Sequence, residues 1–310
     1  MLFSAFVTGA RFLYAVTEHR TGGAGHHPLK AERKVGGRRR HHATHASAAD
    51  HSLPHQREVG YEALLRGDAA GGALVEPFDL FGRAIVAGKL RELDRMSHVT
   101  HLRNAAPLLP DAQWLFININ PATFTDPGYA ARLAAAARES GLAPERVVIE
   151  VLESGGTDVA KISRATHAFR AQGFLVAIDD FGAGHSNIDR LLTLRPNIVK
   201  LDRSLVRTKI THMRDTLMPK RVDLLHESGM FVVAEGIETA EDLMFAARSN
   251  VDFVQGYLFG MPSAHLAEHG AATPLFEDVF DALAQMRCTE RLAGDLLLLP
   301  YRSNLTLAAR

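Results

Sequence analysis

The chain has 310 residues, 46% of them hydrophobic, and balances Lys+Arg against Asp+Glu at 35 each. That length suits one large domain with extensions, and the even charge leaves no global pull towards nucleic acid or anionic lipid. A single cysteine, Cys288, excludes an internal disulfide and fits a reducing, cytoplasmic setting, and no uncharged apolar run is long enough to span a membrane.

The opening MLFSAFVTGARFLYAVTE carries Arg11 inside its apolar stretch with no basic residues ahead of it, so it is not read as a signal peptide. From about Glu18 to Gln56 the chain is rich in Gly, Arg and His, as in GGRRRHH at Gly36 to His42, with neither helical nor strand periodicity. Such a stretch buries too little apolar surface to offset its ordering entropy and is expected to be disordered.

From Val59 the texture becomes an α/β alternation. Short apolar runs recur at Trp114 to Asn118, Val147 to Val151, Phe174 to Asp179, Asn197 to Lys200, Phe231 to Glu235 and Phe253 to Gln255. Runs so continuous and rich in Val, Ile and Phe suit parallel strands covered on both faces. Between them lie helical patterns such as YAARLAAAARESG from Tyr129, VAKISRATHAFRAQG from Val159, and a long one between Arg203 and Gly229. Gly141, Gly173 and Gly229 fall where these helices should end. Repeated strand–helix units of this length predict a (β/α)8 TIM-like barrel, with an open parallel sheet as the alternative that periodicity leaves standing.

What stands at the downstream end of each run is more informative. Asn118, Glu150, Asp179 with Asp180, Lys200, Glu235 and Gln255 sit there, and Glu62 follows a short strand at Val59 to Tyr61. A lone acid after a strand is most often a helix cap or a turn residue. In a β/α barrel, however, the carboxyl ends of all strands converge on one face. Carboxylates gathered there repel one another and hold their protons unless a cation compensates. Hard oxygen donors, without Cys or His at coordinating spacing, select Mg²⁺ or Mn²⁺, and the number of carboxylates suffices for two ions. Two such ions activate a water and clamp a phosphate in phosphoester hydrolysis. Lys200 beside them binds a phosphate oxygen or assists the water.

These residues also lie within a series of motifs. YEALLR at Tyr61 to Arg66 resembles the motif that names the EAL-domain cyclic di-GMP phosphodiesterases. The likeness continues in order through FININP (Phe116 to Pro121), VVIEVLES (Val147 to Ser154), DDFGAGHSNI (Asp179 to Ile188), VKLD (Val199 to Asp202), VVAEGIET (Val232 to Thr239) and VQGYLFGMP (Val254 to Pro262). The resemblance implies hydrolysis of cyclic di-GMP to linear pGpG. It implies Glu62, Asn118, Glu150, Asp179, Asp180 and Glu235 as metal ligands, Lys200 as the residue assisting the water, and Arg66 and Gln255 as substrate contacts. Glu153 matches a glutamate that braces the loop after the fourth strand, near a homodimer interface. The domain so implied runs over 58–286, between an atypical segment 1–57 and a C-terminal extension 287–310 expected to pack on the barrel. Neither a nucleic-acid polymer nor a membrane is an expected partner.

Three departures matter. Ala183, His185, Asn187 and Ile188 replace the usual residues of the DDFG loop, and Leu152 stands where Thr is common. Upstream, the family's first strand carries an aromatic-Gln-Pro-Ile sequence, but the corresponding window HASAADHSLPHQ (His45 to Gln56) has no such motif and no strand pattern, so the first strand is expected to be atypical and incomplete. The abrupt change at about Arg57 is what a shifted upstream reading frame would produce. An alternative function is a catalytically silent receptor that binds cyclic di-GMP and signals through a protein partner.

Overall fold

A computed structural model describes residues 10–11, 43–53, 55, 57–69, 74–152, 158–182, 188–207 and 213–262. Eight strands close into a barrel: β1 (Ala43–Ser52), β2 (Arg57–Ala69), β3 (Trp114–Asn118), β4 (Val147–Leu152), β5 (Leu175–Phe181), β6 (Ile198–Leu201), β7 (Phe231–Ala234) and β8 (Phe253–Gln255). Strands β2 to β8 run parallel in chain order, and β1 closes the gap between β8 and β2, antiparallel to both. The mouth end of β2 therefore pairs with the start of β1, Gly67 against Ala43. Two-residue pairings at Ala10–Arg11 and Leu74–Val75 add to the outer part of β2. The barrel, rather than the open sheet, is the observed solution.

Alternate residues of each strand serve two cores, which is why the strands read as unbroken apolar runs. Leu115, Ile117, Ile149, Val176, Val199 and Val232 face outward into the layer shared with the helices. Trp114, Phe116, Val148, Leu175, Ala177, Ile198, Val233 and Phe253 plug the barrel interior. The Trp114 ring meets Phe253 edge-on at 5.9 Å, an arrangement favoured by the ring quadrupoles.

Helices α1 (Pro77–Val86), α2 (Leu90–Ala105), α3 (Pro121–Phe124), α4 (Tyr129–Glu139), α5 (Val159–Ala171), α6 (Ile188–Leu194), α7 (Arg203–Val206), α8 (Met218–Glu227) and α9 (Ala240–Arg248) connect or flank the strands. Gly141, Gly173 and Gly229 follow the caps of α4, α5 and α8 at positive φ, as the sequence pattern predicts. The single long helix expected between Arg203 and Gly229 is instead divided: α7 ends at Val206 and a π-helical turn at Met213–Leu217 leads into α8, with 208–212 outside the described residues. Pro219 explains part of the division, since its ring is tolerated only in the first turn of a helix.

The largest difference from expectation is β1. Residues 43–52 form a ten-residue strand although Ala, Ser, His and Asp give it little intrinsic strand preference. Tertiary demand overrides propensity, because without β1 the facing edges of β8 and β2 would each present a row of unpaired backbone groups. Leu53, at its end, anchors into the outer core, and the His51 ring stacks on Phe259 at 4.3 Å. Opposite β1, Gly60 of β2 leaves no room for a side chain: a Cβ there would lie 2.7 Å from the Phe116 ring and 2.8 Å from the Trp114 carbonyl oxygen. Gly60→Ala is expected to cost about 2 kcal/mol by overpacking, read as a lowered urea midpoint at unchanged m-value.

Candidate active site

On six strands the interior-facing residue two positions beyond an apolar plug residue is polar. Phe116 is followed by Asn118, Val148 by Glu150, Ala177 by Asp179, Ile198 by Lys200, Val233 by Glu235 and Phe253 by Gln255. Strand periodicity puts each pair on the same face, so the polar set forms a layer at the barrel mouth directly above the apolar plug. Glu62 of β2 joins it.

The layer is organised around the buried ammonium of Lys200. Its Nζ lies 2.7 Å from Glu235 Oε1 and 2.8 Å from Glu150 Oε1, with Glu62 Oε2 at 3.5 Å and Asp179 Oδ1 at 3.6 Å. Glu62 is held from two further sides. Asn118 Nδ2 donates to its Oε1 at 2.6 Å, and Gln255 Nε2 donates to its Oε2 at 2.9 Å. Seven of the residues singled out by sequence therefore meet in one place: Glu62, Asn118, Glu150, Asp179, Lys200, Glu235 and Gln255.

Asp180 joins them through an irregularity of β5. Consecutive strand residues normally point to opposite faces, which would send Asp180 away from Asp179. Between Ile178 and Phe181 the pairing with β6 slips, three steps on β5 matching two on β6, and Asp180 takes the left-handed conformation at φ +56°. This bulge turns both acids to the mouth, where oxygens of Asp179, Asp180 and Glu235 lie within 4.8 Å of one another. A non-glycine residue held there is strained, and strain of this kind concentrates at functional sites.

Burial and crowding set the electrostatics. Burial drives the Glu150 carboxyl well above the usual carboxylate range despite Lys200, and drives Glu235 up to about 7. Asp180 is raised by burial and by neighbouring Asp179. Glu62 is lowered: burial opposes its charge, but Lys200 and the amides of Gln255 and Asn118 outweigh it. Lys200, itself buried, is held well above its ordinary value because the surrounding acids overcome desolvation. Glu150 Oε2 and Asp179 Oδ1 find no hydrogen-bond donor among the described residues. An oxygen-only donor set with spare lone pairs and excess negative charge fits hard divalent cations, and Glu62, Asn118, Glu150, Asp179, Asp180 and Glu235 are the residues able to hold them.

The remaining expected residues fall elsewhere. Arg66, four residues beyond Glu62 on β2, pairs with Glu76 at 3.5 Å and donates to the Leu65 carbonyl. Glu153, Ala183, His185 and Asn187 lie outside the described residues, as does everything beyond Pro262.

One supporting group was not foreseen. Buried His98 of α2 stands behind β3 with Nε2 3.1 Å from the Asn118 carbonyl oxygen and Nδ1 2.7 Å from the Tyr129 hydroxyl. Asp94, also buried, lies 3.3 Å from His98 Nε2 and accepts from the Asn120 backbone N–H. The assignment that satisfies every group has Nε2–H donating to Asn118 and Tyr129 donating to Nδ1. The network fixes the backbone that carries the Asn118 amide. Its only sequence trace is the helical i,i+4 spacing of Asp94 and His98, which reads as an ordinary polar helix face.

Two outcomes follow from these environments. His98→Ala leaves the Asn118 carbonyl and the Tyr129 hydroxyl short of a partner and is expected to destabilise by about 3 kcal/mol in urea unfolding. Glu150 and Glu235 are raised above their unfolded values, so each favours folding only while protonated. Their contribution declines as pH climbs from the unfolded carboxylate range towards their folded values, about 7 for Glu235. Without divalent cations the melting temperature is expected to be lower near about pH 8 than near about pH 5, and added divalent cation should narrow that gap.

Residues 51–262 match the family model described as EAL domain. Among curated relatives, "Probable cyclic di-GMP phosphodiesterase PdeA" of Escherichia coli is 31% identical over 151 residues, covering 47% of this chain and 20% of that protein. "Cyclic di-GMP phosphodiesterase RocR" of Pseudomonas aeruginosa is 31% identical over 159 residues, covering 50% of this chain and 41% of that protein. The chain thus spans less than half the length of either relative. Among solved structures, BlrP1 of Klebsiella pneumoniae, in a calcium/cy-diGMP complex, superposes with a TM-score of 0.64 at 29% identity, covering 71% of this chain and 55% of that chain. With the match extending from the end of β1 to the last described residue, the chain belongs to the EAL domain family.

Proposed function

We propose that this protein hydrolyses cyclic di-GMP to linear pGpG with two divalent ions, Mg²⁺ or Mn²⁺, at the barrel mouth. The observation that carries the reading is the cluster of Glu62, Glu150, Asp179, Asp180 and Glu235 around Lys200, with oxygens of Glu150 and Asp179 that accept no hydrogen bond among the described residues. Relatives named as cyclic di-GMP phosphodiesterases, and the manganese/cy-diGMP complex of BlrP1, support the substrate and the use of a divalent ion. Bound ions supply Lewis-acid activation of a water and of the scissile phosphate.

The chain's own residues do the rest. Glu62 is kept ionised by Asn118 and Gln255, which orient its two oxygens. Lys200 presents a positive charge where negative charge develops on the phosphate, in a site whose burial strengthens that interaction. Arg66, on the mouth side of β2, engages a substrate phosphate. We place the enzyme in the cytoplasm as a homodimer, following the family resemblance.

Purified protein incubated with cyclic di-GMP and Mn²⁺ or Mg²⁺ should yield pGpG by chromatography, and Glu62→Ala should reduce the rate by at least about 100-fold. Ca²⁺ should not support turnover, because its larger and looser coordination sphere misplaces the water. Tight binding of cyclic di-GMP without turnover in the presence of Mn²⁺ would instead establish the silent-receptor reading.

A further inference from the structure

Strand β1 brings a carboxyl into the barrel interior that the reading above leaves without a task. Asp50 is 1% exposed, and neither of its oxygens has a hydrogen-bond partner among the described residues. Its strand neighbours offer no donor side chain: Gly60 on β2 has none, and Gln255 on β8 gives its amide to Glu62. Burial pushes this carboxyl up to about 8; Lys200 is the main influence in the opposite direction, while Glu62, Glu235 and Asp179 add to the rise. Strand register sets Asp50 opposite Gln255, whose amide reaches the Glu62 oxygen that lies 3.5 Å from Lys200 Nζ, so Asp50 borders the cluster around Lys200. An unpartnered buried carboxyl is costly, and the polar pocket around it offers a cation as the natural partner.

Lys200 has the complementary difficulty. Its ammonium sits 2.7 Å and 2.8 Å from oxygens of Glu235 and Glu150, on the same carboxylates that a divalent ion would bind at about 2.0–2.2 Å. An ammonium and divalent ions on the same carboxylates repel one another, and the flexible four-carbon stem of lysine allows its head to shift. We infer that Asp50 is a counter-charge for the displaced Lys200 ammonium: Lys200 pairs with Glu150 and Glu235 in the metal-free protein, and shifts towards Asp50, still within the cluster, when divalent ions take those carboxylates. Asp50 is on this view a positioning residue that removes the internal competitor of the ions. The inference rests on the divalent-ion reading of the site.

The test is a double-mutant cycle read as Mn²⁺ affinity by calorimetry, on wild type, Asp50→Asn, Lys200→Met and the double variant, with metal-free melting curves as the fold control. Asp50→Asn should weaken Mn²⁺ binding about tenfold in the wild-type background and less than about twofold beside Lys200→Met, because the competitor is then gone. Unchanged Mn²⁺ affinity in Asp50→Asn overturns the inference. An equal loss in both backgrounds also overturns it, since it marks a simple through-space charge effect. Should Asp50→Asn melt below the working temperature, Asp50→Ala enters the same cycle. If wild type binds no Mn²⁺, the divalent-ion reading itself fails and this inference with it, an outcome distinct from the other two.

Discussion

Everything at the barrel mouth depends on one ammonium group in a nearly dry space. Four carboxylates lie within 3.6 Å of Lys200 Nζ, close enough that mutual repulsion would prevent their joint ionisation without it. The arrangement is over-supplied with negative charge, and that surplus attracts ions of higher charge than lysine carries. Lys200 thus does two things at once: it makes the metal-free fold tolerable, and it holds the ligand oxygens close to one another in advance. Pre-organisation of that sort lowers the reorganisation needed when ions bind.

The apolar plug beneath is what gives these distances their meaning. Trp114, Phe116 and Phe253 pack together inside the barrel, which resists sliding of the strands and fixes the residues two steps further on to within a side-chain rotation. The His98–Asp94–Tyr129 network plays the same part from outside for β3. Inner packing and outer polar bonding together leave the site's side chains little freedom to disperse under their own repulsion.

Much of the fold and nearly all of the central cluster could be read from the chain. Strands β3 and β8 have the bounds their apolar runs predict, and Glu150, Asp179, Lys200 and Glu235 were legible because each follows an apolar run. Less was legible where long-range pairing overrides local preference. Strand β1 has no hydrophobic alternation and exists because two strand edges demand a partner, a requirement no local window of sequence displays. Asp50 went unnoticed for that reason, and His98 because a buried polar helix residue looks like an exposed one until its neighbours are known. The bulge that redirects Asp180 is likewise a property of pairing between β5 and β6, not of the Asp-Asp pair alone.

The reversed direction of β1 also decides how this barrel can be wired to other modules. Seven strands deliver their carboxyl ends to the mouth, whereas β1 delivers its amino end there, Ala43 standing opposite Gly67. Polypeptide leading into β1 therefore arrives at the reacting face, and polypeptide leaving β8 after Gln255 departs from that face as well. A module joined by a short linker on either side would be held close to the barrel mouth. Its docking or release can act as a gate on the barrel through proximity alone, with no signal transmitted through the core.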